Sequence, residues 1–275
     1  MKNTRTFNLL AYGTLTLIIA LLIAQVAILF IMAGKDPSQM LTSPLLPTLP
    51  YNWENFSRAW NLGIKNYMGN SIFLSLTIVA GDITLSVVTA YVFARYQFPG
   101  KAVLFASILA LMMVPGILTL VPRYLLIRDL KLLDTYWAVI LPAVLGANAF
   151  QIIVMRTFFQ TLPEELFESA RIDGAGHLTL LRKITLPLSI PIISSMAILR
   201  FNGAWNDLIW PLLVLNRDEL RPVSVGLVML STSASAPQIG VQMAGSVIAA
   251  IPMIIIFLIG MRAFIDGLST GAIKM

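Results

Sequence analysis

Six apolar blocks, each close to the thickness of a bilayer's hydrocarbon layer, dictate what this chain can become. They cover residues 7–33, 71–94, 102–121, 136–155, 184–210 and 243–261. About 20 apolar residues are needed for a helix to cross the hydrocarbon. The totals agree: 57% of the 275 residues are hydrophobic, 12% are charged, and the mean hydropathy is +0.83. Soluble domains sit near 45–50% apolar and about 25% charged. A soluble enzyme is excluded, and so is disorder, which needs low hydrophobicity and high charge. The expected fold is all-α: an integral membrane domain of six helices spanning residues 1–275.

The first block is much longer than the 7–15 residue apolar centre of a signal peptide. It reads as an uncleaved span. Lys2 and Arg5 precede it, which places the N-terminus in the cytoplasm, and six spans return the C-terminus to the same side. Lys and Arg are only slightly denser in the segments this assigns to the cytoplasm. The net charge of +6 is explained by loops facing lipid headgroups and needs no nucleic acid. Residues 34–70 and 211–242 become external loops, with the amphipathic stretch 51–56 at the interface.

The chain has one His and no Cys. It cannot build a zinc cluster, a Cys–His dyad or a redox thiol pair. A Ser-His-Asp triad would have to use His177, which lies in a charged loop. No metal site and no catalytic residues are expected. Nor is there a phosphate-binding G-x-x-x-x-G-K motif. Neither Gly34-Lys35 nor Gly100-Lys101 has a Gly five positions before its own.

Residues 156–186 are too long and too patterned for a simple connection. Leu162-Pro163-Glu164-Glu165 is a good helix start, with acids in the first turn against the positive dipole end. Leu166, Phe167 and Ala170 then share a side. Asp173-Gly174-Ala175-Gly176 stops the helix, with Gly174 free to take positive φ. A second short helix fits residues 177–185. The pattern predicts a helix–turn–helix elbow at the membrane surface.

Two charges fall inside spans, where they are costly and face a cavity or a partner. Asp82 and Arg200 both lie roughly 15 Å below the external surface at 1.5 Å per residue. Equal depth allows an ion pair between spans, contact with a solute, or pairing with another subunit. Asn148, Gln151, Asn202, Trp205 and Asn206 would add hydrogen bonds and an aromatic platform suited to a polyhydroxylated solute. Trp205 and Trp210 equally suit interface anchors, and Asp207 is near enough to the end to be solvated.

The elbow's spelling adds an identity. Glu168-Ser169-Ala170, then Asp173-Gly174-Ala175-Gly176, then Ile184-x-Leu186-Pro187 resembles the EAA loop of binding-protein-dependent ABC importer permeases, with Ser169 in place of the first Ala. The segments 90–101, 133–138, 205–212 and 267–274, with Asn70-Ser71, are similar to the MalG-like permeases of maltose-type carbohydrate importers.

That resemblance implies a type I importer permease fold in a bacterial inner membrane. It implies a second homologous permease, two ATPase subunits that carry ATP and Mg, and an external binding protein. Glu168 would pair with a basic ATPase residue, Gly174 would make the turn, and Ala170, Asp173, Ala175 and Gly176 complete the coupling motif. Residues 271–275 would reach between the ATPases, and residues 231–236 would enter the binding protein's cleft. The solute would be a sugar, an oligosaccharide or a polyol. A glycerol-phosphate-type solute is the alternative, since Arg200 could meet an anion. An ion-coupled secondary carrier is a further class, but it leaves the elbow without a purpose and no inverted repeat supports it.

Overall fold

A computed structural model describes residues 2–146, 148–232 and 239–272, and among these every regular element is helical. In chain order they are α1 (Lys2–Ala33), α2 (Pro37–Thr42), α3 (Glu54–Ala59), α4 (Lys65–Arg95), α5 (Lys101–Leu111), α6 (Leu120–Asp129), α7 (Tyr136–Leu145), α8 (Ala149–Gln160), α9 (Glu164–Ile172), α10 (His177–Leu180), α11 (Leu186–Leu188), α12 (Ile190–Trp205), α13 (Ile209–Val214), α14 (Val223–Thr232) and α15 (Ile239–Ala272). Three stretches are long and apolar enough to cross a membrane: Ala11–Ala33, Glu54–Arg95 and Ile239–Met261. Three bent helix pairs raise the number to as many as six.

The bends revise the expected spans. The block 102–121 is not one helix: Lys101–Leu111 and Gly116–Asp129 meet at 94°. Pro115 lies at the break. It has no N–H to donate and disfavours helical geometry at Val114. The block 184–210 is also broken. His177–Leu188 and Ile190–Trp205 meet at 79° around Ser189, which Pro187 and Pro191 flank. α12 therefore starts at Ile190, and the elbow's second half leads straight into it. The two regions read as plain external loops contain α2, α3 and α14. Residues 233–236, most of the loop assigned to a binding-protein cleft, and 273–275 of the tail lie outside the described residues.

The chain divides into two compact units, Met1–Asn66 with Gly226–Ile251, and Tyr67–Val225 with Pro252–Met275. In the first, the buried Asn55 amide donates to the carbonyls of Ala33 (2.9 Å) and Lys35 (3.1 Å). Gly240 sits directly against Lys35 O and Asn55, leaving no room for a Cβ. Among the described residues the second unit shows two apolar centres. One gathers Val87, Tyr91, Met155, Phe159, Phe167, Leu180 and Met196. The other gathers Leu74, Ile78, Ile127, Val139, Trp210 and Val214. The first of these seats the elbow.

Candidate functional site

The elbow forms, with α9 beginning at Glu164 and Pro163 as its cap, but Leu166 faces outward and does not share the buried side of Phe167 and Ala170. Its helix stop is a Schellman turn. Gly174 has φ +82°, Gly174 N–H donates to Arg171 O (3.0 Å), and Ala175 N–H donates to Ala170 O (2.8 Å). These are the two bonds that close such a turn, accompanied by an apolar contact across it. Ala170 and Ala175 supply that contact and lie against the apolar centre around Phe167. The small residues of the motif thus build the turn. Glu168, Asp173 and Gly176 remain exposed, as do Leu166, Ile172 and Leu178. The outward side of the helix pair thus carries an acid beside large apolar side chains.

The opposite side of α9 is fastened to α4. Phe167 is fully buried. The Arg95 guanidinium stacks 3.9 Å from the centre of its ring. Arg95 also donates to the Glu164 carboxylate (2.5 Å) and to Leu162 O (2.9 Å), and Arg171 donates to the other Glu164 oxygen (3.1 Å). At the next turn, His177 Nδ1 lies 2.6 Å from the Tyr96 hydroxyl. The sequence reading did not single out Arg95, although its place just after an apolar block and before the elbow's acids was a usable signal.

Deeper in the second unit, Asp82 of α4 and Arg200 of α12 form an ion pair, 2.6 Å from Oδ2 to Nε. The Asp82 side chain is 1% exposed and that of Arg200 19%. Arg200 also donates to Ala143 O (2.7 Å), and the Asn148 side chain hydrogen-bonds Asp82. Gly81 lets the helices close: a Cβ there would stand 2.9 Å from both methyls of Val144.

The remaining polar residues separate into two groups. Gln151 is buried and accepts from Ser86 (3.3 Å) while donating to Met196 O (3.2 Å), which ties three helices together. Asn202 on α12 and Asn206 just after its end are exposed, with the Asn206 amide donating to Asn202 Oδ1 (2.6 Å). Trp205 and Trp210 are buried, which corrects their reading as interface anchors. Trp205 stacks on Phe201, and Trp210 donates to Ala138 O (2.9 Å). Asp207 is half-buried rather than freely solvated. Its carboxylate accepts from Trp210 N–H (3.4 Å) and faces Arg123 and Arg200. Arg123 stacks 3.7 Å over the Trp210 ring.

The model of one family, described as the binding-protein-dependent transport system inner membrane component, matches residues 82–270. The chain belongs to that family. The match opens at Asp82 and takes in the whole elbow and Arg200. Full-length similarity joins it to the sn-glycerol-3-phosphate transport system permease UgpE of Yersinia pestis bv. Antiqua (strain Antiqua), at 32% identity over 98% of both chains. The arabinooligosaccharides transport system permease AraQ of Halalkalibacterium halodurans is 36% identical over 76% of this chain and 74% of that one. The probable ABC transporter permease YurM of Bacillus subtilis (strain 168) is 34% identical over 82% and 76%. In fold, the chain superposes with a TM-score of 0.86, at 23% identity over 96% of this chain and 98% of the other, on a chain of a bacterial ABC transporter involved in the import of the acidic polysaccharide alginate.

As a binding-protein-dependent inner membrane component, the chain is a multi-pass transport permease. Several motif residues outside the elbow turn out to be fasteners in this permease. Asn70 donates to the carbonyls of Glu219 (2.7 Å) and Arg221 (2.9 Å) and accepts from the Tyr136 hydroxyl (2.8 Å). Asp134, with φ +59°, accepts from the backbone N–H groups of Asn216 (2.5 Å) and Arg217 (2.9 Å). Those bonds, that of Arg217 foremost, hold its carboxyl below the usual carboxylate range.

Proposed function

We propose that this permease is one of two homologous membrane subunits of an ATP-driven importer, and that it translocates a sugar, oligosaccharide or polyol handed over by an external binding protein. Two ATPase subunits complete the complex, and the elbow fits into a cleft on one of them. ATP and Mg bind to them and not to this chain. Both termini lie on the ATPase side. The observation that carries this reading is the elbow: a turn fixed by Gly174, rigidly seated through Phe167 and Arg95, presenting Glu168 and Ile172 outward. Nucleotide-driven closure of the ATPases moves such a seated helix pair as a body, the usual route from a local event to a rigid switch between packed states.

The solute class follows from the charges. Arg200 is already engaged by Asp82 and Ala143 O, so it is not a free cation waiting for an anion. The exposed Asn202 and Asn206 amides at the end of α12 suit hydroxyl groups, which take both donors and acceptors. A glycerol-phosphate solute is the second reading, supported by the full-length similarity to UgpE.

The test begins with gentle extraction of the tagged chain and identification of what co-purifies. A second permease and an ATPase are expected with the wild type, and the ATPase is expected to be lost with Glu168→Arg. A chain that purifies alone would sink the importer reading. The cognate binding protein is then screened against neutral oligosaccharides, polyols and glycerol phosphates, which separates the two solute classes.

A further inference from the structure

We infer that the loop between α1 and α3 lies in the membrane interface with its leucines reaching past the headgroups into the acyl chains, the lipid surface being its partner. Residues 37–53 carry no charged side chain; Asp36 and Glu54 bracket them. Within that stretch Leu41, Leu45, Leu46, Leu49 and Trp53 are between 57% and 89% exposed. So much uncharged apolar surface in one loop marks an interaction site rather than a face toward water.

The loop also hides its polar groups. Pro37, Pro44, Pro47 and Pro50 have no N–H to leave unpaired. Lys35 is 2% exposed, and its ammonium turns inward to the carbonyls of Ser43 and Leu46. The Gln39 amide donates to Pro50 O (3.3 Å), and Asn52 N–H donates to Gly34 O (2.7 Å). Internal pairing of backbone groups is required where lipid, which cannot replace water's hydrogen bonds, covers the chain.

The surface is continuous with a helix that already meets lipid by composition. α1 contributes the apolar segment Ala11–Ala33, exposed or half-buried along its length up to Met32. Phe30 near its end packs against Tyr51 (5.7 Å), Trp53 (6.2 Å) and Phe56 (6.2 Å). An aromatic group at the end of a span is the arrangement that anchors a chain at headgroup level. The exposed leucines extend that anchor sideways, as in segments that lie in the interface plane.

The absence of cysteine allows a direct test. Leu46→Cys and Leu49→Cys are each labelled with a nitroxide in the assembled complex, its other subunits freed of cysteine, in nanodiscs of phosphatidylethanolamine and phosphatidylglycerol. Collision with oxygen, which partitions into lipid, is compared with collision with a water-soluble nickel chelate. The expected result at both sites is oxygen accessibility several-fold above nickel accessibility. Nickel accessibility equal to or above that of oxygen would place the loop in water and overturn the inference. Low accessibility to both reagents would show that another protein subunit covers the loop, and would overturn it equally. None of these outcomes depends on which solute the importer carries.

Discussion

Glu164, the first residue of α9, stands 2.5 Å from the Arg95 guanidinium at the end of α4. That link and the Phe167 ring beneath it join the elbow to a helix some seventy residues earlier in the chain. Arg95 has only 7% of its side chain exposed, so removing it strands Leu162 O and one Glu164 oxygen. We expect Arg95→Ala to loosen α9 by about 1–3 kcal/mol, the cost of leaving a partly buried acceptor unmatched. Glu164 is half-exposed, and Glu164→Gln should cost less. Amide exchange across α9 and, as an internal reference, α7 reads the effect. Faster exchange confined to α9 is expected; unchanged exchange in α9 would refute the link.

The Asp82–Arg200 pair makes a sharper demand. Removing one partner of a buried pair leaves an uncompensated charge and costs about 3–5 kcal/mol. Asp82→Asn and Arg200→Leu should each lower the melting temperature of the detergent-extracted protein strongly. The double apolar replacement should be milder than either single change. The charge exchange Asp82→Arg with Arg200→Asp should restore transport if the pair is structural. Single variants that melt like the wild type would disprove a structural pair.

Gly81→Ala tests how closely α4 approaches α7. The new Cβ would stand 2.9 Å from both Val144 methyls, closer than unstrained carbon atoms come. Overpacking of this kind costs about 1–3 kcal/mol. Val144→Ala in the same chain should recover most of the loss, and a double-mutant cycle on thermal stability measures the coupling. Additive effects would show that the two residues do not meet.

Gly174→Ala places a Cβ on a residue at φ +82°, which costs about 1–2 kcal/mol for a left-handed L-residue. Asn tolerates that region better and should lose less. The Ala175 amide, bonded to Ala170 O, is the reporter. Its hydrogen exchange should accelerate in the order Gly, Asn, Ala, with transport falling in the same order.

Asp134 predicts a pH dependence of definite sign. Backbone N–H groups of Arg217 and Asn216 lower its folded pKa below the ordinary 3.8. A carboxyl depressed in the folded state stabilises it above the ordinary value, and the contribution disappears as pH falls through the lowered one. The melting-temperature gap between wild type and Asp134→Asn should therefore be largest at neutral pH and shrink below about pH 4, the unperturbed carboxylate range. A gap that stays constant down to acid would contradict the assignment.

The elbow and the apolar blocks were legible in the residues because the rules that govern them are local. Acids at a helix start, a Gly where φ must be positive, and runs of apolar residues near bilayer length are each read within one turn or one segment. One His and no Cys likewise leave no zinc cluster or thiol pair to assemble. Equal depth for Asp82 and Arg200 also followed from counting residues. Their meeting did not, because a hydropathy pattern carries no information on how a helix is rotated about its axis. The breaks at Pro115 and Ser189 depend on whether neighbouring helices compensate a lost hydrogen bond, which varies with packing. Arg123 over Trp210, Arg95 over Phe167 and Asn70 against Tyr136 are pairs far apart in sequence. Each brings a polar group out of water beside a partner that only the folded chain supplies, so their energetics belong to the packing and not to any one segment.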